Sequence, residues 1–180
     1  MSLRLPCKAF MSGQHYLDQF DPGAPGCVLL DLRMPGVDGL RLHEVLLEKP
    51  IAPPVIVLSA YADVATAVQA MRLGAVDFLQ KQSLDPLELR AAIDRAFARD
   101  AVRRKEYVRR EAARIKYVAL TEAEREIIAP LLEGQNNQMI ATKLGISRRA
   151  VEERRARMMR KLGVSSIVGL ARFAADLGIL

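Results

Sequence analysis

Three polar residues stand where chemistry is possible: Asp31, Ser59 and Lys81, each closing a short apolar run. The first run, Val28-Leu29-Leu30, ends on Asp31 and leads through Leu32-Arg33-Met34 into Pro35-Gly36, a turn signal. The second, Val55-Ile56-Val57-Leu58, ends on Ser59, and the third, over 75–80, ends on Lys81. A carboxylate, a hydroxyl and an ammonium gathered at one sheet edge can take up a phosphoryl group. The carboxylate acts as nucleophile, and the hydroxyl and ammonium meet the phosphoryl oxygens. Any one of them alone is an ordinary polar strand end. Three at the ends of successive strands are much harder to explain that way.

The elements that must position them follow from the pattern around them. Apolar runs without polar interruption read as strands buried on both faces, as in a parallel sheet, and in such sheets function gathers at the carboxyl ends of the strands. Residues 5–11 predict a short edge strand, confined there by Pro6. Helical patterns cover 13–20, closed by Asp21-Pro22-Gly23; 40–48, closed by Pro50; and 63–73, stopped by Gly74. Asp85-Pro86 reads as an N-cap with proline in the first turn. From there the helical pattern runs to about residue 115, with Leu89, Ile93 and Ala96 or Phe97 turned inward. Beyond Arg99 it becomes strongly charged, with a weak apolar stripe of Val102, Tyr107, Val108, Ala112 and Ile115. It is either a solvated connecting helix or one that pairs with its mate in a dimer.

The last third is different in kind. Thr121 and Glu124 form a capping box, opening a helix to about 133. A second helix over 137–144 stops at Gly145, Ser147 caps a third running to 162, and a fourth spans 165–176. Two short helices joined by Gly145-Ile146-Ser147 make a helix-turn-helix. On the third helix Val151, Met158 and Leu162 form one narrow apolar face, while residues 147–163 carry seven basic and two acidic side chains. On the second helix of such a pair, basic groups meet the major groove and phosphates of DNA.

Charge is divided accordingly. The net +6 is the balance of −3 over residues 1–94, +6 over 95–118 and +3 over 119–180, so a polyanion partner is expected for the back half. Cys7 and Cys27 have no metal-ligand or redox spacing and read as small residues in or near a core. No apolar run reaches the length of a membrane span and no signal peptide opens the chain, so a cytoplasmic protein without membrane partners is expected.

The front of the chain resembles the receiver domain of two-component response regulators. The resemblance rests on Asp31 in Asp-Leu-Arg-Met-Pro-Gly, on Ser59, on Phe78 in Gly-Ala-Val-Asp-Phe-Leu-Gln-Lys, and on Lys81, with 28 residues from Asp31 to Ser59 and 22 from Ser59 to Lys81. It implies a flavodoxin-like parallel sheet and phosphorylation of Asp31 by a sensor histidine kinase. It further implies that Ser59 and Lys81 contact the phosphoryl group and that Phe78 is an aromatic switch behind Ser59. Receivers coordinate Mg²⁺ with an acidic pair at the end of their first strand. This chain begins too late to contain that strand, that pair or most of the first helix. The metal ligands left are Asp31 and the Arg33 backbone carbonyl, so Mg²⁺ binding is expected to be weak or absent and phosphotransfer slow. Without the first strand, a rearranged or intermolecularly completed sheet is expected. Receivers also usually follow the lysine with proline. Gln82 in that place predicts a trans Lys81–Gln82 peptide and an ammonium displaced from Asp31.

Residues 119–180 resemble the DNA-binding domain of NarL/FixJ-type regulators, the LuxR-type helix-turn-helix. The matching stretches are Leu-Thr-Glu-Ala-Glu-Arg-Glu-Ile-Ile, Asn137 with Ile140-Ala141, Leu144-Gly145-Ile146-Ser147, Val151-Glu152, and Arg155 through Arg160-Lys161-Leu162-Gly163-Val164. Gln138-Met139 replaces the usual Lys-Glu, Ala150 the frequent Thr and Arg154 the frequent His. The resemblance implies double-stranded DNA as partner, with Asn137, Arg148, Arg149, Glu152, Glu153, Arg154, Arg157, Arg160 and Lys161 as candidate DNA-binding residues. It also implies a homodimer, with Ile167, Leu170 and Phe173 of the fourth helix at one dimer surface and the helix beginning near Asp63 at another.

The resulting expectation is an α/β receiver lacking its first strand (residues 1–98), a linker helix (99–118) and an all-α four-helix helix-turn-helix domain (119–180). Together these form a regulator of transcription rather than an enzyme. The alternative keeps DNA binding and makes the receiver a phosphorylation-independent dimerisation or protein-interaction platform. A phosphohydrolase with Asp31 as nucleophile is a more distant reading, because such sites pair the nucleophile with a nearby acid that Asp-Leu-Arg-Met lacks.

Overall fold

A computed structural model describes residues 5–34, 36, 38–60 and 63–179; Pro35 and Val37 of the expected turn lie outside them. The chain divides into two compact units, Met1–Lys105 and Glu106–Leu180.

In the first unit the three apolar runs form β1 (Val28–Asp31), β2 (Val55–Ser59) and β3 (Asp77–Gln80), a parallel sheet in the order β1-β2-β3. Val28 pairs with Val55, Asp31 with Leu58 and Ser59 with Gln80, so all three strands end level at one edge. Helices α1 (Gly13–Asp18), α2 (Gly39–Leu47), α3 (Val64–Arg72) and α4 (Pro86–Val118) follow or connect them. One face of the sheet packs Leu30, Val55 and Val57 with Leu42 and Leu46 of α2 and Ala70 of α3. The other packs Ile56 and Leu79 with Ala92, Ile93 and Ala96 of α4. Each Val, Leu or Ile side chain so removed from water contributes roughly 1.5–3 kcal/mol. Ala96 turns inward and Phe97 outward, which settles the stripe left open by the sequence.

The expected strand over 5–11 does not form. A strand needs a neighbour for its backbone groups, and Pro6 removes one donor. The segment packs instead through side chains: Leu5 joins the Ile56 face, and Phe10 stands edge-on to Tyr16 with ring centroids 5.0 Å apart. The expected rearrangement of the sheet is not seen either. Among the described residues β1 pairs on one side only, with β2, and Leu29, on the same face as its partner Ile56, is 44% exposed.

Past the sheet, α4 stays tied to the first unit as far as Arg104. Buried Asp100 accepts hydrogen bonds from the Gly26 N–H (3.0 Å) and Arg104 Nε (2.7 Å), while Arg104 donates to the carbonyls of Pro22, Gly23 and Ala24.

The second unit packs the end of α4 with α5 (Glu122–Arg125), α6 (Ile128–Leu132), α7 (Asn137–Leu144), α8 (Arg148–Leu162) and α9 (Ile167–Leu177). The single helix expected over 121–133 is two. Pro130 has no N–H to give the Glu126 carbonyl and its ring crowds that position, so the helix restarts at Ile128 with Pro130 in the first turn, where no donor is needed. The capping box at Thr121 forms in full, and Ser147 accepts from the Ala150 N–H as the N-cap of α8. Gly145 closes α7 at φ 64°, a conformation that favours glycine. Val151, Met158 and Leu162 are buried together with Ile140, Leu131 and Ile127. Leu170 and Phe173 lie in that same core, which corrects their expected place at a dimer surface: their spacing marks the inward stripe of α9, and Val168 is a large apolar side chain on its exposed side. No helix among the described residues is long and apolar enough to cross a membrane.

Candidate phosphoacceptor site and nucleic-acid interface

The level strand ends bring the three candidate residues to one edge. Asp31 closes β1, Ser59 closes β2 with its side chain buried, and Lys81 opens a 3-10 turn, Lys81–Ser83, directly after β3. Asp31 Oδ1 accepts the Arg33 N–H at 3.1 Å, which turns the carboxylate toward the site, and Oδ2 accepts a close hydrogen bond from Lys81 Nζ. The pair is about one-third exposed and open to solvent.

This contact corrects one expectation. The Lys81–Gln82 peptide is trans, as the sequence implies, but the ammonium is not displaced from Asp31. The 3-10 turn places the lysine backbone at the strand end, and its four-carbon stem spans what remains. Phe78, paired in register with Val57, is half-buried against the Leu30 and Val57 face.

A residue not singled out by the sequence fixes the backbone here. Gly39, the first residue of α2, lies so close to the end of β1 that a Cβ on it would sit 2.6 Å from the Asp31 carbonyl oxygen and 2.7 Å from Leu32 Cα. The Gly39 N–H donates to the Leu32 carbonyl at 3.2 Å. The available signal was a glycine directly after an N-cap aspartate, Asp38.

For a metal the donor set is thin. Both Asp31 oxygens already hold hydrogen-bond donors, and among the described residues no three acidic, histidine or cysteine side chains gather where an ion could sit. Asp31 and the Arg33 carbonyl fall well short of the near-octahedral oxygen shell that Mg²⁺ demands, so the described residues do not fit that ion.

The basic face of the second unit sorts into two groups. Arg154 is held by Glu126 at 3.3 Å, half-buried Arg155 by Asn137 Oδ1 at 3.3 Å, and Lys161 by Glu124 at 2.7 Å and the Ala119 carbonyl at 3.3 Å. These bonds brace α8 against its neighbours. Arg157 lies 3.9 Å from Glu124 but is largely exposed. Arg148 and Arg149 pair only within the helix, with Glu152 (2.9 Å) and Glu153 (3.2 Å), and Arg160 is exposed. Lys116, near the end of α4, donates to the Leu162 carbonyl at 2.9 Å, a cation at the negative end of α8. Arg155 and Lys116 were missed by sequence reasoning because their partners are 18 and 46 residues away. Asn136, Asn137, Gln138, Arg148 and Arg155 line a polar hollow of about 350 Å³ between the start of α7 and α8.

Glu124 is the buried anchor of this face. Its carboxyl is held below the usual carboxylate range, first by the Lys161 hydrogen bond and then by the Thr121 N–H. Its folded pKa therefore lies below the unfolded one, near 4.3. The support it gives is complete above that value and is lost as pH falls through the folded pKa. The melting temperature of the helical unit is expected to drop on acidification below about pH 4.3, with part of the drop absent in Glu124→Gln. Equal acid dependence in both proteins would contradict the anchor.

Comparison with known proteins agrees with this division. The family profile described as "Response regulator receiver domain" matches residues 3–94, and "Bacterial regulatory proteins, luxR family" matches 118–174. The transcriptional regulatory protein FixJ of Azorhizobium caulinodans is 38% identical over 93% of this chain and 79% of its own length. The C4-dicarboxylate transport transcriptional regulatory protein DctR of Rhodobacter capsulatus is 36% identical over 92% of this chain and 84% of its own. The solved structure of the response regulator StyR superposes with a TM-score of 0.76 at 30% identity, covering 93% of this chain and 84% of that one.

Proposed function

We propose, because this chain belongs to the NarL/FixJ-type response regulators that join a receiver to a luxR-type DNA-binding domain, that Asp31 is its phosphoacceptor and α8 its DNA-reading helix. The protein is a DNA-binding transcriptional regulator of a two-component system, as its relatives are. The observation that carries the phosphoacceptor reading is the meeting of Asp31 and Lys81 beside Ser59, at the carboxyl edge of three parallel strands.

In this reading an Asp31 oxygen attacks the phosphorus of a phosphohistidine on a sensor kinase. The P–N bond breaks as the P–O bond forms, and the histidine nitrogen leaves. Lys81 moves from the carboxylate to a phosphoryl oxygen, and the Ser59 hydroxyl donates to another. Repositioning of Ser59 frees space for Phe78. Dimerisation through α3 is supported by its exposed Val64, Val68 and Met71, an apolar stripe at i, i+4 and i+7. Functionally the chain parts into receiver (1–98), linker helix (99–118) and DNA-binding domain (119–180), acting in the cytoplasm. On the DNA side, Arg148, Arg149, Arg157 and Arg160 supply contacts to phosphates and bases, with Glu152 and Glu153 among them. Asn137, Arg154 and Lys161 act at the edge of the interface while bracing α8.

A second reading, DNA binding without phosphorylation, is favoured by the hydrogen bonds that engage both Asp31 oxygens and by the lack, among the described residues, of an acidic cluster around it. Intact-mass measurement after incubation with Mg²⁺ and a small phosphodonor separates the two. The expected result is slow, incomplete addition of one phosphoryl group, absent in Asp31→Asn. Rapid, stoichiometric addition would show that the site works without an acidic pair. No addition on prolonged incubation would leave the second reading.

A further inference from the structure

We propose that Glu153 reads a cytosine in the major groove, so that the binding site of this regulator carries a G·C pair at one fixed position under each bound recognition helix. The proposal rests on the reading of α8 as the DNA-reading helix and names what that helix reads.

With 3.6 residues per turn, the direction opposite the buried Val151, Met158 and Leu162 is occupied by Arg149, Glu153, Ala156 and Arg160. All four are exposed. This ridge is the part of α8 that penetrates deepest when the helix lies in a groove. Its middle carries a carboxylate, in the place least suited to one, because phosphates on both sides repel it. A carboxylate accepts hydrogen bonds and donates none, so it is tolerated there only against a base that donates.

The major groove offers two such donors, cytosine N4 and adenine N6. Adenine sets its N7 acceptor beside N6, guanine shows N7 and O6, and thymine shows O4 and a methyl group. Cytosine alone presents a donor with no acceptor on the same base. Ala156, one turn further along, leaves room for the carboxylate to approach the base edge. Arg149 pairs with Glu153 at 3.2 Å and is itself 88% exposed on its side chain. That places a positive charge beside the carboxylate, and so exposed a pair is weak enough to exchange partners on DNA. Glu152 sits off the ridge and pairs with Arg148 at 2.9 Å; Glu124 is buried and fully engaged. Glu153 is thus the carboxylate of α8 positioned to read.

The test is selection of bound duplexes from a random pool by the full chain, by Glu153→Gln, by Glu153→Ala and by Glu152→Gln. The wild type is expected to hold one position to cytosine by about tenfold over guanine or thymine. Glu153→Gln, whose amide both donates and accepts, should move that position to adenine. Glu153→Ala should leave the position unread, and Glu152→Gln, whatever its effect on overall affinity, should leave that position at cytosine. An unchanged base preference in Glu153→Gln, or a shift caused by Glu152→Gln instead, overturns the assignment while DNA binding stands. A wild-type chain that retains no duplex overturns the DNA reading and this assignment with it.

Discussion

Replacing Arg149, Arg157 and Arg160 together with alanine is expected to lower DNA affinity on the order of a hundredfold or more. Each guanidinium facing DNA is worth about 1–3 kcal/mol, and 1.4 kcal/mol is tenfold. The loss should come with a shallower salt dependence, because each phosphate contact given up removes about one released counterion from the slope. Arg149 and Arg160 stand on the outward ridge of α8, and Arg157 is largely exposed beside it, so the fold should survive. A melting curve close to wild type, with affinity measured at two or more salt concentrations, gives the answer. Unchanged affinity and slope would remove α8 from the interface. Replacing Arg154 and Lys161 should behave differently, lowering the melting temperature along with affinity, since these residues brace the helix through Glu126 and Glu124.

Gly39→Ala should be strongly damaging for a single methyl addition. The new Cβ would fall 2.6 Å from a backbone oxygen and 2.7 Å from a backbone carbon, neither of which can rotate away. Overpacking of this kind costs about 1–3 kcal/mol, and here the atoms displaced belong to Asp31 and Leu32. The variant is therefore expected both to melt lower and to accept a phosphoryl group more slowly than wild type. Gly36→Ala is the useful comparison. Its φ of 87° brings strain, but nothing lies within 4 Å of the added carbon, so it should leave the strand end in place. Equal phosphorylation rates in Gly39→Ala and wild type would show that α2 does not hold the site.

How legible these features were depended on whether their causes were local. Three strand ends were readable because buried parallel strands leave uninterrupted apolar runs, and the polar residue closing each run stands out. The helices of the second unit were readable through their caps: Thr121, Ser147, Gly145 and Gly163 mark the ends by backbone chemistry that acts within a few residues. The break before Ile128 was equally local, since Pro130 was in plain view. What sequence did not disclose was long-range. A strand over 5–11 was expected from its own residues, yet strand formation depends on a neighbour. Displacement of Lys81 was inferred from the peptide bond after it, whereas the reach of its side chain across the site governs the contact. The basic residues of α8 looked alike in sequence. Only the fold separates Arg154, Arg155 and Lys161, tied to Glu126, Asn137 and Glu124, from Arg149 and Arg160 on the open ridge.

Under the proposed function, the chemical state of Asp31, in one unit, sets the grip on DNA of the other. Its most direct test is the affinity of the full chain for a selected duplex, measured before and after phosphodonor treatment, with the phosphorylated fraction read by intact mass in the same samples. Affinity is expected to rise with the phosphorylated fraction in the wild type and to stay constant in Asp31→Asn. Affinity that does not change as phosphorylation accumulates, or that changes equally in Asp31→Asn, would contradict it.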